Sequence, residues 1–149
     1  MSGNVILSKL KFQNLILHLV SIEDDKKKLI EEYFPEPSKE RTRFSRVLDN
    51  YIAKIDFLIK NNISVGESTD NSFPFVIINS EVEVQDMETN EIIIFRIISP
   101  FNNKDINDVS YLSPVGRSLL LKGVGDEVTI DTPGGKLSYK IQSIKLTFL

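Results

Sequence analysis

Three carboxylates, Glu32, Glu36 and Glu40, and four cations, Lys39, Arg41, Arg43 and Arg46, crowd residues 32–46. Glu36 lies between Pro35 and Pro37, with Glu32 and Glu40 flanking it, so acids can be presented at this turn. The same acids have a plainer use, since Glu31 and Glu32 would end one helix and Glu36 and Glu40 would favour the N-terminus of the next. The cations fall in the first third of the following helical stretch. Arg43 and Arg46 are one turn apart and can act together, as guanidinium groups do on phosphates. A solvated helix face is the commoner use of such a charge cluster.

Other chemistries find little to work with. The chain has 149 residues, no cysteine and one histidine, His18. Disulfides and thiolate metal sites are excluded, and a His-rich zinc site or a Ser-His-Asp triad is disfavoured. His18 sits among Leu15, Leu17 and Leu19 and reads as a packed or surface residue. Pro133-Gly134-Gly135 precedes a strand-like run, so it is a turn and not a phosphate loop. No apolar run has the length of a membrane span, and the first residues lack a signal-peptide pattern. Net charge is −3, unevenly spread: residues 1–62 hold 11 Lys/Arg against 9 Asp/Glu, and residues 63–149 hold 7 against 12. The acidic second half argues against a bulk-charge grip on nucleic acid there.

Two helices must carry the charged turn. Ser8 is placed to cap the first, in which Phe12, Leu15, Leu19 and Ile22 follow at spacings of three and four, a coiled-coil seam. The register continues through Lys26, Leu29 and Tyr33, with the lysine weakening the middle. Leu10, Ile16, Leu17 and Val20 make the first half apolar on more than one face. Pro35 and Pro37 end this helix. The second starts at Pro37 or Ser38, carries Phe44, Val47, Leu48, Tyr51, Ile52, Ile55, Leu58 and Ile59, and stops at Asn61-Asn62. Long helices joined by a short turn lie antiparallel. Domain limits are read as a helical hairpin over 1–62, a polar linker over 63–74 and a β domain over 75–149.

In the β domain, Phe75 to Val84 reads as a strand with a break at Asn79-Ser80. Thr89-Asn90 turns into a second strand, Ile92 to Ile98, and Val109 to Leu112 is a short third. Ser113 can cap a helix with Pro114 at its first position. That helix is expected to run to Lys122 and stop at a left-handed Gly123. Gly125-Asp126 then turns into Val128-Thr129-Ile130, and Pro133-Gly134-Gly135 leads into Leu137 to Leu146.

The ordered string Ser-Pro, small apolar helix, Gly-x-Gly-Asp, strand, Thr-Pro-Gly-Gly resembles the C-terminal domain of the GreA/GreB transcription elongation factors, shared with Rnk-type regulators. Leu7-Ser8 with Phe12, Leu15 and Leu19 resembles the family's opening. The resemblance implies an α+β fold, an N-terminal antiparallel α-helical hairpin followed by an FKBP-like antiparallel β-sheet domain with one short helix. It implies a cytoplasmic factor, a monomer or weak dimer, that binds RNA polymerase and meets nascent RNA only inside that complex. The hairpin would enter the polymerase secondary channel. The polymerase-docking region would include Ser113, Pro114, Val115, Gly116 and Arg117, the first four required by the fold more than by contact. The factor would have no catalytic group, cofactor or stably bound metal of its own. In cleavage-stimulating members, two tip carboxylates help hold a shared Mg²⁺ in the polymerase active site, where hard oxygen ligands suit that ion. The family's tip motif resembles Gly-Asp-Leu-x-Glu-Asn-x-Glu-Tyr, and this tip departs from it, leaving Glu32, Glu36 and Glu40 as its tip carboxylates. The resemblance also makes Lys39, Arg41, Arg43 and Arg46 a patch that faces nucleic acid. An Rnk-like regulator without cleavage stimulation is the near alternative. A prolyl isomerase would rest on fold analogy alone, in a chain with no Trp and scattered aromatic residues.

Overall fold

The computed structural model describes residues 5–67, 71–101 and 105–147. The chain divides into two compact units, Met1–Thr69 (with Leu149) and Asp70–Phe148.

The first unit is built on two helices, α1 (Lys9–Glu32) and α2 (Lys39–Asn61). Their side-chain hydroxyl caps are Ser8, which accepts from the Lys11 amide at 3.2 Å, and Ser38, which accepts from the Arg41 amide at 3.0 Å. Each satisfies a donor that the first helical turn leaves open. Leu15, His18, Ile22 and Leu29 of α1 are buried, as are Phe44, Leu48, Tyr51, Ile55 and Leu58 of α2. The seam therefore runs through His18, not Leu19, and Tyr33 is exposed. Leu15, His18, Ile22 and Leu29 keep spacings of three, four and seven, so the seven-residue repeat holds and only the position between Leu15 and Ile22 differs. Lys26 stays on the partner side, where its Nζ lies 2.5 Å from Asp49 Oδ1. Leu10, Ile16, Leu17 and Val20 are exposed.

Part of the stretch read as linker is a strand. Strands β1 (Val5–Leu7) and β2 (Ile63–Val65) pair in parallel, with Val5 opposite Ile63 and Leu7 opposite Val65. The Val5 amide donates to Asn62 O at 2.7 Å, and the Gly66 amide to Leu7 O at 2.9 Å. Parallel strands need a long crossover, and here the whole hairpin supplies it. The far end of the expected linker belongs to the second unit: Phe73 is buried and its amide donates to Ile144 O at 3.1 Å.

The second unit is a five-stranded sheet of order β5-β4-β3-β7-β6, with β3 (Ser80–Asp86), β4 (Ile92–Ile98), β5 (Asp108–Ser110), β6 (Glu127–Thr132) and β7 (Gly135–Leu146). The expected all-antiparallel sheet is mixed, because β4 and β5 run parallel. Val82, Val84, Ile97, Val128, Ile130, Tyr139, Ile141, Ile144 and Leu146 are buried, at alternating positions along their strands. A bulge in the β3–β7 ladder between Glu83 and Val84 keeps Ile144 and Ile141 on that face. The helix α3 (Pro114–Leu119) packs on β6 and β5 and buries Leu119.

Two expected features move. Phe75–Ile78 is buried but lies outside the strand, because Asn79 is left-handed (φ 71°) and β3 begins only at Ser80. The helix after Pro114 ends at Leu119, and the left-handed residue beyond it is Leu121 (φ 68°), not Gly123. Backbone pairing holds Leu121 there: its amide donates to Val76 O, and the Val76 amide donates to Lys122 O, both at 2.8 Å.

Candidate functional site

The hairpin turn is held by packing and by backbone acceptors. The Tyr33 and Phe34 amides both donate to Leu29 O, at 2.9 and 3.1 Å. Phe34 stacks on Phe44 with centroids 5.1 Å apart. An Arg41 guanidinium nitrogen donates to Pro35 O at 3.4 Å. These contacts fix the loop that carries Glu36, and Glu32, Glu36 and Glu40 are all exposed. They do not form a cation cage: among the described residues no three acidic or imidazole side chains converge on a common point.

The cations line two adjoining grooves that share Arg46. Lys39, Arg43 and Arg46 line one shallow groove of α2 with Ser38, Thr42 and Asn50. Spacings of four and three put them on one face. Arg41 lies in the next groove, with Ile30, Thr42, Ser45, Asp49 and again Arg46. The first groove presents three positive charges and several hydroxyl or amide donors without a carboxylate. The second offsets its charge with Asp49.

In the second unit, the segment opening α3 is set by close backbone approach. Ser113 Oγ donates to Ser110 O at 2.7 Å and accepts from the Gly116 amide at 3.1 Å. A Cβ on Gly116 would stand 2.1 Å from Ser110 O, so no other residue fits. Pro114 is exposed at the first helical position, and Val115 and Arg117 are partly exposed. Beside this segment, Arg96 makes two bonds to Asp108, at 2.9 and 2.6 Å, with Asp105 at 3.8 Å. The Asp108 bonds push the Arg96 pKa up. Sequence reasoning missed this pair. Its only signal was one charged residue inside the apolar run 92–98.

The family model described as "Transcription elongation factor, GreA/GreB, C-term" matches residues 71–146. The chain belongs to the GreA/GreB family. Transcription elongation factor GreA of Clostridium acetobutylicum is 36% identical over 99 residues, which cover 66% of this chain and 62% of that one. GreA of Solidesulfovibrio magneticus is 40% identical over 70 residues, 46% of this chain and 43% of the relative. The matched stretches thus span about half the length of these Gre relatives. The prokaryotic GreA/GreB elongation factor structure from Nitrosomonas europaea aligns over 97% of this chain and 99% of its own, with a TM-score of 0.51 and 20% identity. That likeness shows a shared fold. Within the Gre fold, Glu32, Glu36 and Glu40 lie at or beside the hairpin turn, and Ser113–Arg117 caps and opens α3.

No described helix is long and apolar enough to cross a membrane.

Proposed function

We propose that this chain is a cytoplasmic elongation factor that binds bacterial RNA polymerase, with its hairpin in the secondary channel and its β domain on the rim. It contributes no catalytic group and no cofactor; any transcript cleavage belongs to the polymerase and its Mg²⁺. The observation that carries this reading is the joint presence of a Gre C-terminal domain and a hairpin of 24- and 23-residue helices ending in an exposed turn. At about 1.5 Å per residue, each helix spans roughly 35 Å, a useful reach for a channel probe. The groove of Lys39, Arg43 and Arg46 is the surface proposed to meet nucleic acid phosphates, since it concentrates positive charge near the turn. The segment Ser113–Arg117 is the proposed docking region.

The turn favours one version of this function. Its tip lacks the Gly-Asp-Leu-x-Glu-Asn-like motif of cleavage-stimulating members, and its carboxylates are exposed at and on either side of the proline turn. In this reading it is a regulator that competes with cleavage factors. The test is transcript cleavage in a backtracked elongation complex, with wild type and Glu36→Ala, and displacement of a known Gre factor in parallel. Competition without cleavage supports the regulator. Cleavage lost in Glu36→Ala makes it a cleavage factor with a different tip. Neither activity removes the polymerase reading.

A further inference from the structure

We propose that the open half of β4 is a strand-addition site, and that its occupant is the same stretch of a second copy of this chain. β5 pairs with β4 only at Arg96, Ile97 and Ile98. On the side away from β3, no described segment pairs with Ile92–Phe95. The backbone there alternates in a known sense. Glu91 and Ile97 accept from Asp86 and Asn79 on the β3 side, and Arg96 and Ile98 bond towards Asn107 and Tyr111 on the other. Ile92 and Ile94 share the parity of Arg96 and Ile98, so both present an N–H and a C=O to the open edge. The two residues are 55% and 46% exposed.

This edge carries none of the usual guards. Ile92-Ile93-Ile94-Phe95 has no charge, no proline and three β-branched residues. It is also self-complementary. In antiparallel pairing about a two-fold axis at Ile93, Ile92 faces Ile94 of the second copy and Ile94 faces its Ile92. All the side chains in those pairs lie on one face, and four N–H···O bonds close. The length of the edge selects this register. In it, position 96 faces residue 90 of the second copy, where Asn90 is left-handed (φ 62°) and turns the chain away. β5 therefore does not collide with the added strand. A slide of two residues one way runs into β5, and the other way leaves only Ile92 paired.

Charge agrees with the second copy as occupant. On β3, Gln85 lies opposite Ile92 and Glu83 opposite Ile94. Each row across the seam then reads Gln85, Ile92, Ile94, Glu83, with the last two from the second copy, and no like charges meet. A seam this short buries less than a standard interface, so association is weak and depends on concentration.

Sedimentation equilibrium of the full chain from about 10 μM to about 1 mM tests this. A monomer–dimer equilibrium is expected in wild type. It should weaken about tenfold or more in Ile94→Lys, which charges the seam, and in Ile92→Pro, which deletes an outward N–H while sparing the β3 ladder. Leu17→Lys, on the exposed face of α1, should leave it unchanged. Amide exchange in wild type gives a readout free of variants: the Ile92 and Ile94 amides should gain protection as concentration rises. A monomer throughout the range, a dimer lost in Leu17→Lys but kept in the β4 variants, or concentration-independent exchange at Ile92 and Ile94 would each overturn the proposal.

Discussion

His18 Nε2 and Tyr51 Oη lie 2.8 Å apart inside the hairpin, joining α1 to α2 at a point where both side chains are buried. The rings meet edge to face, with centroids 5.9 Å apart. A polar pair in an otherwise apolar seam fixes the register of two helices, because sliding one helix breaks the bond. Tyr51→Phe keeps the ring and removes the hydroxyl. It should cost roughly 1–2 kcal/mol in urea unfolding followed by helical circular dichroism.

The same pair makes stability depend on pH. Burial lowers the His18 pKa from 6.5 to about 4. Above pH 6.5 the imidazole is neutral in both folded and unfolded chains. Between pH 6.5 and 4 the unfolded chain takes up a proton that the folded chain refuses, so stability falls as pH falls. The loss levels off below pH 4, at about 3 kcal/mol. Unfolding curves at stepped pH should show this slope in wild type and lose it in His18→Gln.

Two ion pairs should behave differently. Lys26–Asp49 is partly exposed, and Lys26→Ala should change stability by less than about 1 kcal/mol. Arg96 pairs with a buried Asp108, and Arg96→Ala removes that carboxylate's cation while leaving it the Asp105 amide donor. The expected cost is about 2–4 kcal/mol, and Asp108→Asn in the same chain should recover part of it. Thermal melts of the three variants check this.

Gly116→Ala should cost about 3 kcal/mol or more, because the new methyl meets a backbone carbonyl that cannot move without shifting α3. Pro114→Ala, at an exposed first position, should cost under about 1 kcal/mol. If polymerase affinity drops in Pro114→Ala while the melt is unchanged, this segment touches the partner directly.

Reversing charge on α2 tells apart Lys39 and Arg43, which line only the first groove, and Arg41, which lines only the second. Lys39→Glu with Arg43→Glu should weaken polymerase association and flatten its salt dependence. Arg41→Glu, from the groove that already holds Asp49, should do less. Competition binding at stepped ionic strength measures both.

The helices were legible because a periodic stripe of eight apolar residues in α2 admits one face only. The Ser-Pro-x-Gly segment was legible because cap, proline and glycine each answer a distinct local demand. His18 reads as packed or surface-exposed, but its place in the seam is not legible, since spacings of three and four admit either His18 or Leu19 between Leu15 and Ile22 and the leucine is the more apolar. β1 and β2 were hidden for another reason. Three residues carry no alternation, and the partner of Val5 is Ile63, far along the chain. The parallel β4–β5 pairing and the left-handed Leu121 were invisible because tertiary contacts impose them, through Arg96–Asp108 and through Val76, against local preference. The tip acids were easy to list, but sequence alone said nothing about whether they converge.

The chain has no cysteine, so Glu36→Cys gives a single attachment point at the hairpin turn. An iron chelate tethered there, bound to RNA polymerase and triggered to release hydroxyl radicals, maps what the turn approaches. The account predicts cuts confined to polymerase segments around the secondary channel and the active site, suppressed by an excess of a known Gre factor. Cuts scattered over the polymerase surface, or none above the free chelate, would contradict it.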